Sequence, residues 1–132
     1  MNGKVVYLDT SAFVKLIMPE PESSALRSYL RGRGQLASAG LLRTEAVRAL
    51  RPHGSRHVAS ARRAFARMLL IRLNPGLLDR AGDLDPLDLR TLDAVHVAAA
   101  ESLGTDLGMV VAYDQRLVDA ARELRLPVAS PR

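Results

Sequence analysis

Two short runs of β-branched and aliphatic residues constrain the chain most: Val5 to Leu8 ends at Asp9, and Met109 to Ala112 leads through Tyr113 to Asp114. Runs apolar at every position suit strands covered on both faces, as in parallel sheets, and an acid closes such a run where the strand reaches its C-terminal edge. A helix should follow the first run at once, over Ala12 to Met18, and stop before Pro19. After a turn over Pro19 to Glu22, Ser23 or Ser24 can cap a second helix to about Leu30, which Gly32 and Gly34 break. A brief strand is predicted at Gln35 to Ser38. Leu41 to Leu50 reads as a helix with Leu41, Leu42, Ala46, Ala49 and Leu50 on one face, ended by Pro52 and Gly54. A long helix over Ser55 to Leu70, a short strand over Ile71 to Leu73 and a proline-started helix over Pro75 to Gly82 come next. The stretch from Asp79 to Asp88 is acidic and loop-like. Arg90 to Leu103 is an alanine-rich helix ended by Gly104, Gln115 to Leu124 is the last helix, and Pro127 to Ala129 the last strand. Strands alternating with helices predict an α/β fold on a mostly parallel sheet.

A chain of 132 residues with 48% hydrophobic content can bury a real core, and one globular domain over residues 1–132 is expected. No stretch approaches the roughly 20 apolar residues of a membrane span, and Asp9 cuts the first apolar run too short for a signal peptide. A soluble, cytoplasmic protein without membrane contact is the expectation. The absence of cysteine excludes disulfides, thiolate zinc sites and cysteine nucleophiles. The net charge is +5, and between Arg27 and Arg72 eleven arginines face a single acid, Glu45. The planar guanidinium suits phosphate and carboxylate groups, so a polyanion or an acidic partner is implied. The competing reading is a set of ordinary solvated helix faces.

Four acids stand where simple folding logic does not ask for them. Ligands of open parallel sheets bind beyond the carboxyl ends of the strands, where Asp9 and Asp114 fall; each also suits the N-cap of the helix that follows. Glu45 lies on or beside the apolar stripe of its helix, so it must pair with an arginine such as Arg43 or Arg48, take up a proton, or bind a cation. Asp93 opens a helix whose next turns are almost wholly apolar, with stabilisation of the helix N-terminus as the simpler explanation. If the four meet, they need a counter-cation, and all-oxygen ligands point to Mg²⁺ or Mn²⁺ rather than zinc.

The remaining polar residues carry weaker signals. His96 in its alanine-rich stretch is expected to be a satisfied packing residue, His53 and His57 to share no metal, and Asp119 to face solvent. A phosphatase using Asp9 as nucleophile would want a second acid two positions later, where Ser11 stands. A receiver-like signalling domain would want a late lysine, and both lysines, Lys4 and Lys15, are early.

Four segments together resemble PIN-domain toxins of the VapC type: Tyr7-Leu8-Asp9-Thr10-Ser11-Ala12-Phe13-Val14-Lys15-Leu16, Arg43-Thr44-Glu45-Ala46, Leu92-Asp93-Ala94-Val95-His96-Val97-Ala98 and Ala112-Tyr113-Asp114-Gln115-Arg116-Leu117, in family order over residues 7 to 117. The resemblance implies a PIN-like three-layer α/β/α fold with a central, mostly parallel sheet of four to five short strands. It further implies a Mg²⁺- or Mn²⁺-dependent endoribonuclease, the toxin of a toxin-antitoxin pair, often a homodimer and neutralised by a small antitoxin. By position Asp9, Glu45, Asp93 and Asp114 would be the catalytic, metal-binding acids, supported by the hydroxyls of Thr10 or Ser11. A water would attack phosphorus in line, leaving a 5′-phosphate. Arg43, Arg48, Arg51, Arg62 and Arg63 are candidates for contacting RNA or an acidic antitoxin. The loop Asp79 to Asp88 has no counterpart role, which leaves open whether Asp85 or Asp88 approaches the metals. The alternative from another class is a catalytically silent PIN-like module that binds RNA or a partner chain.

Overall fold

The structure, a computed structural model, describes residues 3–132. Among these, five strands form one sheet: β1 (Val5–Leu8), β2 (Gln35–Ala39), β3 (Leu69–Ile71), β4 (Leu107–Val111) and β5 (Val128–Ala129). The order is β3-β2-β1-β4-β5 and every neighbouring pair is parallel. Seven α-helices connect them: α1 (Thr10–Ile17), α2 (Ser23–Leu30), α3 (Leu42–Leu50), α4 (Ser55–Phe65), α5 (Pro75–Gly82), α6 (Thr91–Glu101) and α7 (Gln115–Glu123). No helix among the described residues is long and apolar enough to cross a membrane.

Because side chains alternate across a strand, each inner strand feeds both helical layers. Tyr7 of β1 and Val110 of β4 point with Ala39 into a core shared with α5, α6 and α7. Val6, Leu8 and Val111 point the other way, against Ala12 of α1 and Leu26 of α2. Phe13, Leu42, Leu50, Ala61 and Phe65 extend that second layer through α3 and α4, with Phe13 and Phe65 stacked at 5.3 Å between ring centroids. The result is three layers, with α1 to α4 on one face and α5 to α7 on the other. Right-handed crossovers demand this division, since the chain builds outward from β1 in one direction to β3 and then in the opposite direction to β5.

Three predicted boundaries need correction. The helix expected over Ser55 to Leu70 stops at Phe65, and the following strand is Leu69–Ile71 rather than Ile71 to Leu73. Nothing local marks that end; pairing of Ala37 with Leu69 and Ala39 with Ile71 decides it. Ala49, assigned to the apolar face of α3, is exposed, while Leu42, Ala46 and Leu50 are buried. The acidic stretch from Asp79 begins as the last turn of α5, and only its later part is loop.

At the edge opposite the strands' carboxyl ends, backbones approach so closely that only glycine fits. A methyl group at Gly34 would run into the Lys4 carbonyl oxygen beside β1. The obstacle is backbone and cannot swing aside, so Gly34→Ala is expected to cost roughly 2 kcal/mol or more of stability. Urea denaturation checks this; an unchanged midpoint would mean that the chain entering β2 does not lie so close to β1.

Candidate active site

The sheet's strand order reverses between β1 and β4, and the crevice beyond the carboxyl ends at such a switch point is where open α/β sheets bind ligands. Leu8 pairs with Val111, and the Asp9 amide donates to the Val111 carbonyl at 3.2 Å, so the two strands remain in register up to their last residues. Asp9 and Asp114 therefore leave the sheet side by side. Both are also helix N-caps: Asp9 Oδ1 accepts from the Ala12 amide at 2.9 Å, and Asp114 Oδ1 accepts from the Arg116 and Leu117 amides at 2.9 and 3.4 Å. Capping and ligand binding are not exclusive here, because Asp114 caps through Oδ1 alone. Ser11 donates towards both Asp9 oxygens, at 2.7 and 2.9 Å, and accepts from the Tyr113 amide at 3.1 Å, tying the β1 acid to the β4 loop.

Glu45 sits in the first turn of α3, which starts just after β2 ends and so places it above the same edge. Neither Arg43 nor Arg48 pairs with it, contrary to one of the sequence expectations. Both arginines are exposed, and the partners of Glu45 are Thr10, whose hydroxyl donates to Oε1 at 2.7 Å, and His96, whose Nε2 lies 2.7 Å from the same oxygen. Asp93 lies three residues before His96 on α6, half-buried, with no hydrogen-bond or ion-pair partner among the described residues.

The fields at this edge fit a shared location. Burial pushes the Asp9 carboxyl above the usual carboxylate range, against the pull of the Ala12 amide and Ser11, and the charge of Asp114 adds to the rise. Asp93 is raised in the same way, first by burial and then by Asp114, with Glu45 contributing. Burial also acts to raise Glu45, but the hydrogen bonds from His96 and Thr10 outweigh it and hold this carboxyl below its ordinary value. The four acids share the edge without closing on one another: among the described residues no three His, Asp or Glu side chains surround a common point.

Outside this edge, the arginines spread over the surface of α3 and α4. Arg43 stacks 5.6 Å above the Phe65 ring, Arg48 and Arg51 line a shallow depression with Pro52, and Arg62 and Arg63 are exposed. None of the eleven arginines between residues 27 and 72 forms an ion pair among the described residues. Asp85 and Asp88 line a different depression beside α7, with Leu89, Arg116, Asp119 and Glu123. Asp119 is exposed, as expected, and accepts from Gln115 at 2.7 Å. His53 is exposed and His57 only part-buried. His96 is 2% exposed and satisfied, as expected of a packing residue, yet its partners are Tyr7 and Glu45 rather than apolar neighbours. Sequence reasoning missed Tyr7 altogether. The available signal was a hydroxyl inside a buried strand and an imidazole inside an apolar helix face, both of which need partners.

Comparison with known proteins agrees with this geometry. Residues 6–123 match the family model for the PIN domain. The chain is 49% identical to Ribonuclease VapC46 of Mycobacterium tuberculosis over 126 residues, covering 96% of this chain and 97% of that protein. It is 35% identical to Ribonuclease VapC47 of the same species over 132 residues, with the same coverage. Among solved structures it resembles Mycobacterium tuberculosis VapC20, described as a Sarcin-Ricin loop cleaving toxin, with a TM-score of 0.74 at 16% identity over 87% of this chain and 94% of that one. It also resembles VapBC2 from Rickettsia felis, solved bound to a promoter DNA fragment, with a TM-score of 0.70 at 14% identity over 97% of this chain and 99% of that one. With four acids at the switch point of a parallel sheet and relatives of this similarity over nearly its full length, the chain belongs to the VapC-type ribonucleases of the PIN-domain family.

Proposed function

We propose that this protein cuts RNA internally as the toxin of a VapBC-type toxin-antitoxin pair, with Asp9, Glu45, Asp93 and Asp114 holding one or two divalent cations. The observation that supports this most directly is a set of four carboxyl groups at one sheet edge, none of them ion-paired to lysine or arginine among the described residues. Oxygens are left for a ligand: both of Asp93, Oδ2 of Asp114 and Oε2 of Glu45 carry no hydrogen bond among the described residues. An all-oxygen donor set suits Mg²⁺ or Mn²⁺, and Mg²⁺ commonly keeps several waters and takes only one or two carboxylates, which agrees with an edge that is not a closed cage.

Such an ion, when bound, activates water and offsets charge at the attacking and leaving oxygens of a phosphodiester. The chain's own residues prepare the place. Ser11 holds Asp9 through both carboxyl oxygens, Thr10 and His96 keep Glu45 ionised, and the N-cap bonds fix Asp114. The unpaired arginines of α3 and α4, Arg43, Arg48, Arg51, Arg62 and Arg63 among them, attract the RNA backbone. An apolar groove lined by Phe13, Leu16, Ile17, Leu36 and Met68, with Arg63 and Arg67 on its rim, suits an amphipathic antitoxin segment that carries acidic residues. Light scattering of the chain alone and with that antitoxin would read whether it also pairs with itself.

With purified protein and RNA in Mg²⁺, Asp9→Asn and Asp93→Asn should each lower kcat/KM on the order of 100-fold or more, about 2.7 kcal/mol of barrier. EDTA should abolish cleavage and Mn²⁺ should restore it. RNA bound but uncut by the wild-type chain under these conditions would favour the silent binding module instead.

Without a cation the same acids are a burden on the fold. A carboxyl whose pKa is raised by folding binds protons more tightly in the folded state, so its contribution is harmless at acid pH and costs stability as pH rises through the window above the ordinary carboxylate value. In EDTA the wild-type chain should therefore lose thermal stability more steeply than Asp9→Asn as pH rises above the ordinary carboxylate range, since that variant keeps the cap and drops the charge. A difference of about 1 kcal/mol would separate the two midpoints by roughly 3–6 °C at the upper pH. Parallel curves would place the Asp9 charge in water rather than at a buried edge.

A further inference from the structure

The Tyr7 hydroxyl lies 2.7 Å from His96 Nδ1, at the far side of the imidazole from Glu45, and this contact has no part in the reading above. Tyr7 is fully buried in the middle of β1, and its ring meets the imidazole edge-on, at 5.9 Å between centroids and 77° between planes. A phenylalanine would fill the same space in that core, so packing alone does not ask for the hydroxyl. On its other side the imidazole reaches Glu45 Oε1 at 2.7 Å, the oxygen that also accepts from Thr10 at 2.7 Å. A carboxylate only accepts, so the hydrogen of the Glu45 contact is on Nε2, and in the neutral tautomer that carries it Nδ1 accepts from the phenol.

We propose that Tyr7 and His96 are positioning residues, a buried relay from the centre of the sheet that orients Glu45 and commits its Oε1, so that only Oε2 is offered to a cation. The chain runs between elements that cannot drift independently: Tyr7 is held by the pairing of β1 with β2 and β4, and His96 by the buried face of α6. Glu45 itself projects from a helix turn with several rotatable bonds, and its charge acts on Asp93, so its orientation matters to the edge. Partners of this kind, which hold a ligand without touching the metal, typically matter roughly 10- to 100-fold in affinity or activity.

The inference rests on Glu45 being a cation ligand, and the test separates the two ideas. Mn²⁺ affinity is measured by calorimetry on metal-free wild type, Glu45→Gln, Tyr7→Phe, His96→Gln and His96→Ala, with thermal midpoints recorded for each. Glu45→Gln must weaken Mn²⁺ binding for the premise to stand. Given that, Tyr7→Phe is expected to weaken it roughly tenfold and to lower kcat with KM for RNA unchanged. His96→Gln, which restores a donor towards Glu45, should bind Mn²⁺ more tightly than His96→Ala at a similar thermal midpoint, a rescue that a purely structural role would not give. Nitrogen-15 spectra of the wild-type imidazole supply a readout independent of any variant's folding: a hydrogen on Nε2 and a bare Nδ1 are expected. Mn²⁺ affinities of Tyr7→Phe and His96→Ala equal to wild type, or a hydrogen on Nδ1 with Nε2 bare, would overturn the proposal.

Discussion

Parallel pairing of β1 with β4 brings two aspartates to one sheet edge, and their surroundings make that tolerable. Like charges at one edge repel, and the charge of Asp114 adds to the rise of both Asp9 and Asp93 above the ordinary carboxylate range. Some relief comes from the helices that begin directly after both strands. Each acid lies at the positive end of a helix, accepting its first amides, so the same residue that ends a strand also starts α1 or α7. Ser11 relieves Asp9 further while fastening it to the Tyr113 amide. What remains uncompensated is the part of the charge that the proposed cation would meet.

The distribution of positive charge follows from the same economy. Seventeen of the nineteen basic residues are arginine, and most of the arginines between residues 27 and 72 lie on or near α2, α3 and α4, none of them ion-paired to an acid among the described residues. Had Arg43 or Arg48 turned towards Glu45, a plain ion pair would have silenced it as a ligand. An imidazole and a hydroxyl take that place and supply hydrogen bonds to Glu45. Exposed guanidinium groups without an ion-pair partner among the described residues can attract an anion at long range, the part proposed for them towards an RNA backbone.

Most of the architecture was legible in the sequence because it is written in local signals. Apolar runs marked the inner strands β1 and β4, Pro19, Pro52, Gly54 and Gly104 marked helix ends, and an acid in each of four chemically odd positions marked the candidate site. What was not legible depends on partners distant in the chain. The end of α4 is set by an edge-strand pairing with β2, so Ala66 and Arg67, good helix formers, leave the helix for a reason that no nearby residue announces. The partner of Glu45 was sought within its own helix, at Arg48, because i to i+3 and i to i+4 neighbours are all that a sequence offers. The actual partners, Thr10 and His96, are 35 and 51 positions away.

Tyr7 and His96 illustrate why such residues escape a pattern-based reading. Each satisfies the local rule: an aromatic residue suits a strand, and a histidine among alanines is compatible with a packed helix. Their polar atoms become informative only together, since neither a buried phenol nor a buried imidazole can go unpaired without cost. Burial holds the phenol far above its ordinary ionisation range, so it stays a hydrogen donor. An apolar core would have been simpler to pack. Retaining a hydroxyl and an imidazole there makes sense where the orientation of one surface carboxylate matters more than the last increment of core packing, and places where local consistency gives way to such a demand are where function is found.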